Sequence, residues 1–132
     1  MTTISAAASF QVPGGPTLAL TSAITAEAYD KIEVVVDPGD TDKEVDIQPG
    51  TAAQIRLLVI KSSLYGDEIT YAASNGTKDS AVVTLDGPQV FIGPGVIGLF
   101  AVDPKTLKFS NTNADPAKKA QIEILVGRDA TP

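Results

Sequence analysis

Sixteen Asp and Glu residues, and no His or Cys, set the chemistry open to this 132-residue chain. Four of the acids, Asp37, Asp40, Asp42 and Glu44, fall within eight positions. Hard oxygen ligands at that density could hold calcium. Their spacing does not match an EF-hand loop, and Asp residues in a Pro-Gly turn also cap backbone donors. The chain is read as holding no metal, with these four as the residues a calcium ion would use. Asp67 and Glu68 with Asp79 could supply a carboxylate pair for acid–base work, although exposed hairpin charges are the plainer account. Asn75-Gly76-Thr77 matches a glycosylation sequon and, equally, a tight turn. Without His, the commonest general base, triad partner and transition-metal ligand are all missing. Without Cys there is no thiolate or disulfide chemistry. The expectation is a non-enzymatic protein with no catalytic residue and no cofactor.

Binding is the other route to function. Val90 to Val102 is the most apolar stretch, and Phe91 and Ile92, beside Gly93-Pro94-Gly95, are the candidate interface residues. There is no Trp, and the three Tyr are Tyr29, Tyr65 and Tyr71, a thin supply of platforms for sugar rings. Net charge is −6 with a pI near 4.4. Such a domain repels phosphate backbones and anionic membranes, so neither nucleic acid nor membrane is expected as partner. The opening residues lack the basic and apolar regions of a secretory signal, and no apolar run reaches the roughly 18 residues of a membrane helix. The expectation is a protein made and kept in the cytoplasm, or assembled there into something larger.

The elements that would position these residues are short. Turn signals recur about every ten residues, at Pro13-Gly14-Gly15-Pro16, Asp37-Pro38-Gly39-Asp40, Gln48-Pro49-Gly50, Tyr65-Gly66-Asp67 and Asn75-Gly76. They continue at Asp86-Gly87-Pro88, Gly93-Pro94-Gly95, Asp103-Pro104 and from Asn111 to Pro116. Val-, Ile-, Leu- and Thr-rich segments lie between them. Regular breakers between β-formers predict an all-β antiparallel sandwich of eight to ten short strands, with a jelly roll as one arrangement. The whole of 1–132 is read as a single domain, with 1–10 a flexible arm and 128–132 a loose tail. Extended segments are expected at 4–12, weakly, and at 17–24, 29–36, 43–48, 52–62, 67–73, 79–85, 107–110 and 121–127, with 89–92 and 96–102 as one apolar stretch interrupted by Gly93-Pro94-Gly95.

The segment Ala52 to Ser62 is the predicted centre. Ile55, Leu57 and Val59 share one side of an extended chain, and Leu58 and Ile60 the other. A strand that is apolar on both sides is covered on both, by a core and by a second layer or neighbouring subunit.

An alternating strand, then the succession Gln-Ile-Arg-Leu-Leu-Val-Ile-Lys-Ser, Asp-Glu-Ile-Thr-Tyr, Asn-Gly-Thr, Val-Val-Thr-Leu-Asp-Gly-Pro-Gln-Val-Phe, Leu-Lys-Phe-Ser-Asn-Thr and Gln-Ile-Glu-Ile-Leu-Val-Gly-Arg-Asp, together run from about Ile32 to Asp129. In pattern it resembles small tailed-phage virion proteins, in particular capsid decoration (cement) proteins of β-sandwich type. That resemblance implies a virion structural protein, made in the host cytoplasm, with no catalysis. It implies contacts with the major capsid or other virion proteins and clustering as a homo-oligomer, a trimer or dimer. The chain also resembles jelly-roll lectin-type modules, which implies a carbohydrate- or calcium-binding alternative.

Overall fold

The computed structural model describes residues 2–47 and 51–129. The turn expected at Gln48-Pro49-Gly50 and the tail residues 130–132 lie outside the described residues. Ten strands form, cut where Gly and Pro cut the sequence. They are β1 (Thr2–Gln11), β2 (Thr17–Ala26), β3 (Ala28–Val36), β4 (Lys43–Asp46) and β5 (Ile55–Ser62). Then come β6 (Ile69–Ser74), β7 (Val83–Thr84), β8 (Gln89–Ile92), β9 (Thr106–Asn111) and β10 (Ala120–Arg128).

Strands β3 to β10 pair in a nested series. β6 pairs with β7, β5 with β8, β4 with β9 and β3 with β10, all antiparallel. The chain is thus one long hairpin rolled up on itself. Lateral pairs β5–β10 and β6–β9 knit the roll into two sheets, β3-β10-β5-β8 and β4-β9-β6-β7. This is the two-sheet jelly roll, an all-β sandwich.

Alternation supplies the core. Ile122, Ile124 and Val126 on β10 point inward and are fully buried, and Leu107 and Phe109 do the same from β9. Tyr71 lies between them, its ring 5.6 Å from Phe109 and 6.2 Å from Phe100. Burial raises the Tyr71 hydroxyl well above the ordinary tyrosine pKa, and the hydroxyl donates a hydrogen bond to Gln89 Oε1. Each fully buried aliphatic side chain contributes about 1.5–3 kcal/mol.

The central strand is β5, flanked by β10 and β8. Leu58 and Ile60 enter the core as expected, and Leu57 faces outward. Ile55 departs from expectation. Gly127 pairs with Leu57, but Arg128 pairs with Ile55, so β5 carries an extra residue at Arg56. This bulge turns Ile55 into the core instead of leaving it beside Leu57. Bonds from Arg56 Nε and Nη2 to Asp129 Oδ2, 2.8 and 2.6 Å, hold the bulge.

The apolar stretch at 96–102 is not extended but a helical turn, α1 (Pro94–Ile97), running into a 3₁₀ turn at Gly98–Phe100. Gly93 at φ 93° redirects the chain, and Pro94 presets the first helical φ. Ile97 and Phe100, three residues apart, are buried, while Leu99 is 81% exposed. A short apolar run does not tell strand from helix by periodicity.

The two N-terminal strands stand outside both sheets as a hairpin. Where a flexible segment was expected at 1–10, β1 pairs with β2 residue by residue from Thr2–Ala26 to Gln11–Thr17. Of the loose tail expected at 128–132, Arg128 instead belongs to β10, its Nη1 2.7 Å from Asp30 Oδ2, and the Asp129 N–H donates to the Gln54 carbonyl at 2.8 Å.

Candidate functional site

The arm is built from residues 2–26, none of them charged; the first charge in the chain is Glu27. Gly14, at φ 75°, allows the tight connection in which the Gly15 N–H donates to the Val12 carbonyl at 2.7 Å. Antiparallel register places Ile4 beside Ile24, Ala8 beside Leu20 and Phe10 beside Leu18. One face of the ribbon is therefore apolar but for Thr2 and Ser22, and the other is Thr, Ser, Ala and Gln. The base of the apolar face is packed. Ile24 and Ala26 are buried, and Ile4 Cδ1 lies so near Gly127 that a Cβ there would sit 2.9 Å away. The tip is not packed. Phe10 is 59% exposed, Leu18 65% and Leu20 41%.

Opposite the arm lies the outer face of the β3-β10-β5-β8 sheet. Register divides this face into rows. Leu125, Val59 and Val90 form one, continued on β3 by Lys31, and Gly127, Leu57 and Ile92 form the next, continued by Tyr29. Between these apolar rows and the arm runs a groove of about 630 Å³, lined by uncharged residues only. Farther along, the face turns charged. Glu123 sits across from Glu33 and Lys61, with Lys31 Nζ 3.1 Å and Lys61 Nζ 3.7 Å from its carboxylate. Lys31 holds the Glu123 carboxyl below its ordinary pKa, and Glu123 in turn raises that of Lys31. The outer face thus has a charged half with its own partners and an apolar half that looks onto the arm.

The sequence-derived candidates distribute as follows. Phe91 and Ile92 part company, because neighbours on a strand face opposite ways. Phe91 packs toward the core, its ring 5.3 Å from Phe100. Ile92 lines the outer groove, as does Val90, which is 56% exposed.

The four calcium candidates are not gathered. Asp40 Oδ2 accepts the Asp37 N–H at 2.8 Å and lies 3.8 Å from Lys43 Nζ, and Lys119 Nζ is 3.9 Å from Asp37. The Asp42 N–H donates to Ser110 Oγ, and Glu44 pairs across the sheet with Lys108. Cations of the chain itself stand where a metal would. Among the described residues no three such ligands converge.

Asp67 and Glu68 precede β6 and Asp79 follows it, so the six-residue strand holds them roughly 20 Å apart. That exceeds the separation of any glycosidase-type carboxylate pair. Asp79 is instead tied to Ser74 and Lys108, which lower its pKa. Asn75 is a turn residue, its Oδ1 accepting the Thr77 and Lys78 N–H groups at 2.9 and 2.7 Å. Of the tyrosines, Tyr71 is buried, the Tyr65 hydroxyl accepts the Ser62 N–H, and Tyr29 is exposed.

Residue-by-residue reasoning missed the arm tip. Leu18 and Leu20 read as one face of an ordinary sandwich strand. The signal that marks them is the uncharged run before Glu27, in a chain that is 20% charged. The chain matches no protein-family model, no curated protein and no solved structure.

Proposed function

We propose that this is a non-enzymatic virion structural protein that binds and stabilises a phage capsid or tail surface by protein–protein contacts. One observation carries the reading. A jelly roll closed around its own core also extends an uncharged ribbon with an exposed apolar tip, which is surface built for another protein. All of the charge lies on the sandwich. Its net −6 suits basic patches on a shell and sharpens partner choice more than affinity. Jelly rolls serve in capsids and lectins alike, so the fold alone does not choose. The dispersed tyrosines and the ungathered loop carboxylates give the sugar- and calcium-binding alternative no support.

The test is addition of purified protein to shells assembled from the major capsid protein encoded beside its gene. Saturable co-sedimentation at a fixed ratio to capsid subunits, with a raised shell melting temperature, is expected. Failure to sediment with the shells, with their melting unchanged, would overturn the reading.

A further inference from the structure

We infer that the groove between the arm and the outer sheet face receives the arm tip of a second copy of this chain. The inference deepens the structural role proposed above and rests on it for many copies held side by side; the protein that meets the tip is then a second copy, and the acidic sandwich is left to meet the shell. The first ground is self-complementarity. One molecule carries both halves of an apolar contact, the tip residues Phe10 and Leu18 and the groove residues Val59, Val90 and Leu125. Phe10, Leu18 and Val90 are exposed and Val59 and Leu125 half-buried, and exposed apolar surfaces of this kind mark interaction sites.

Charge is the second ground. Two copies of a −6 molecule repel through most of their surface. Arm and groove are the exception, uncharged on both sides. A basic shell surface would seek the acidic sandwich; a second acidic copy is admitted where there is no charge. Size is the third ground. In a reciprocal exchange each copy contributes its tip, residues 8–20, and its groove residues Val59, Val90, Ile92 and Leu125, which approaches the roughly 20–30 residues that a stable interface uses on each side. A two-stranded ribbon by itself is marginally stable in water, so cover along the tip also supports the element that makes the contact. A reciprocal exchange of tips closes at two copies by a two-fold axis.

Analytical ultracentrifugation of the full chain tests this. The parent is expected at twice its 13.6 kDa mass. Leu18→Lys, on the tip, and Val90→Glu, in the groove, are each expected at the monomer mass. Both sites are exposed, so both variants keep the parent's circular-dichroism spectrum. An equimolar mixture of the two variants is expected to regain the dimer, because one contact is then native and the other pairs opposite charges. A monomeric parent across the concentration range overturns the inference, and so does a dimer indifferent to both substitutions. A monomeric parent that still coats shells removes this contact and leaves the shell reading intact. A dimer that ignores shells does the reverse.

Discussion

Replacing Gly127 with alanine asks whether the arm's base and the sandwich pack as one body. The added Cβ would lie 2.9 Å from Ile4 Cδ1 and 3.6 Å from the Cβ atoms of Ala26 and Leu57. Carbon atoms rest about 3.5–4.0 Å apart, so the end of Ile4 must retreat by roughly 0.6–1 Å. Overpacking of this kind costs about 1–3 kcal/mol. The terminal methyl of Ile4 can swing aside, which keeps the cost toward the lower end. Alanine also restricts the unfolded chain, a gain of about 0.4–1 kcal/mol where the backbone permits it. Gly127 pairs regularly with Tyr29 and Leu57, so its backbone does permit it. The expected net effect is destabilisation by roughly 0.5–2 kcal/mol. In an Ile4→Ala background the obstructing atom is gone, and Gly127→Ala should stabilise by about 0.4–1 kcal/mol. Urea unfolding of all four proteins, followed by far-ultraviolet circular dichroism, gives the coupling directly. A change of the same sign and size in both backgrounds would refute the packed base.

Three further outcomes follow from the same structure. Asn111 is fully buried, with Nδ2 donating to the Val36 and Lys118 carbonyls and Oδ1 accepting from Asn113. Asn111→Ala strands these groups and should cost about 1–3 kcal/mol in urea unfolding, with the slope unchanged; no loss would mean that water had taken the amide's place. Glu123 has its folded pKa lowered by Lys31, so its contribution is present above the unfolded value of 4.5 and is lost as pH falls through the lower folded one. Lys31 is raised above 10.5, so its share persists below that value and is lost as pH climbs past the folded pKa. The melting difference between parent and Glu123→Gln should therefore be small and salt-sensitive at neutral pH, and should close at both extremes; a difference that widens in acid would contradict the pairing. Millimolar calcium should leave the thermal midpoint in place, since Lys43 and Lys119 neutralise Asp40 and Asp37; a calcium-dependent rise would restore the loop as a site.

The sandwich was legible because its information is local. Breakers cut the chain, and alternation such as Ile122, Ile124 and Val126 assigns a face without knowledge of the neighbour. The failures occur where a neighbour decides. Ile55 alternates with Leu57 in sequence, and only the bulge opposite Arg128 sends it to the core. Val96 to Val102 is apolar enough for a strand, but Gly93 and Pro94 start a helical turn there. Among the candidate site residues, Phe91 and Ile92 were found as a pair through composition. Composition could not separate them, since which one faces out depends on how β8 registers with β5. The carboxylate candidates failed for a related reason. Nearness in sequence did not bring Asp37, Asp40, Asp42 and Glu44 together, because the turn and two lysines, Lys43 within the stretch and Lys119 from outside it, took up oxygens of Asp40 and Asp37.

The arm differs from the roll in how it is held together. Every contact between β1 and β2 closes through the short turn at 12–16, whereas β3 meets β10 across most of the chain. Long closures cost entropy that only the core returns, so the roll forms cooperatively or not at all. The hairpin closes cheaply but gains little, because two strands alone bury little. Its base draws on the sandwich through Ile4, Ile24 and Gly127. Its tip is exposed, and among the described residues neither of its long edges pairs with a third strand. Such edges invite pairing or aggregation unless charge, twist or cover protects them. Here there is no charge to do so, which leaves twist and cover. Stability along the ribbon must then fall from base to tip in the isolated chain, and whatever seats the tip supplies the missing stability from outside.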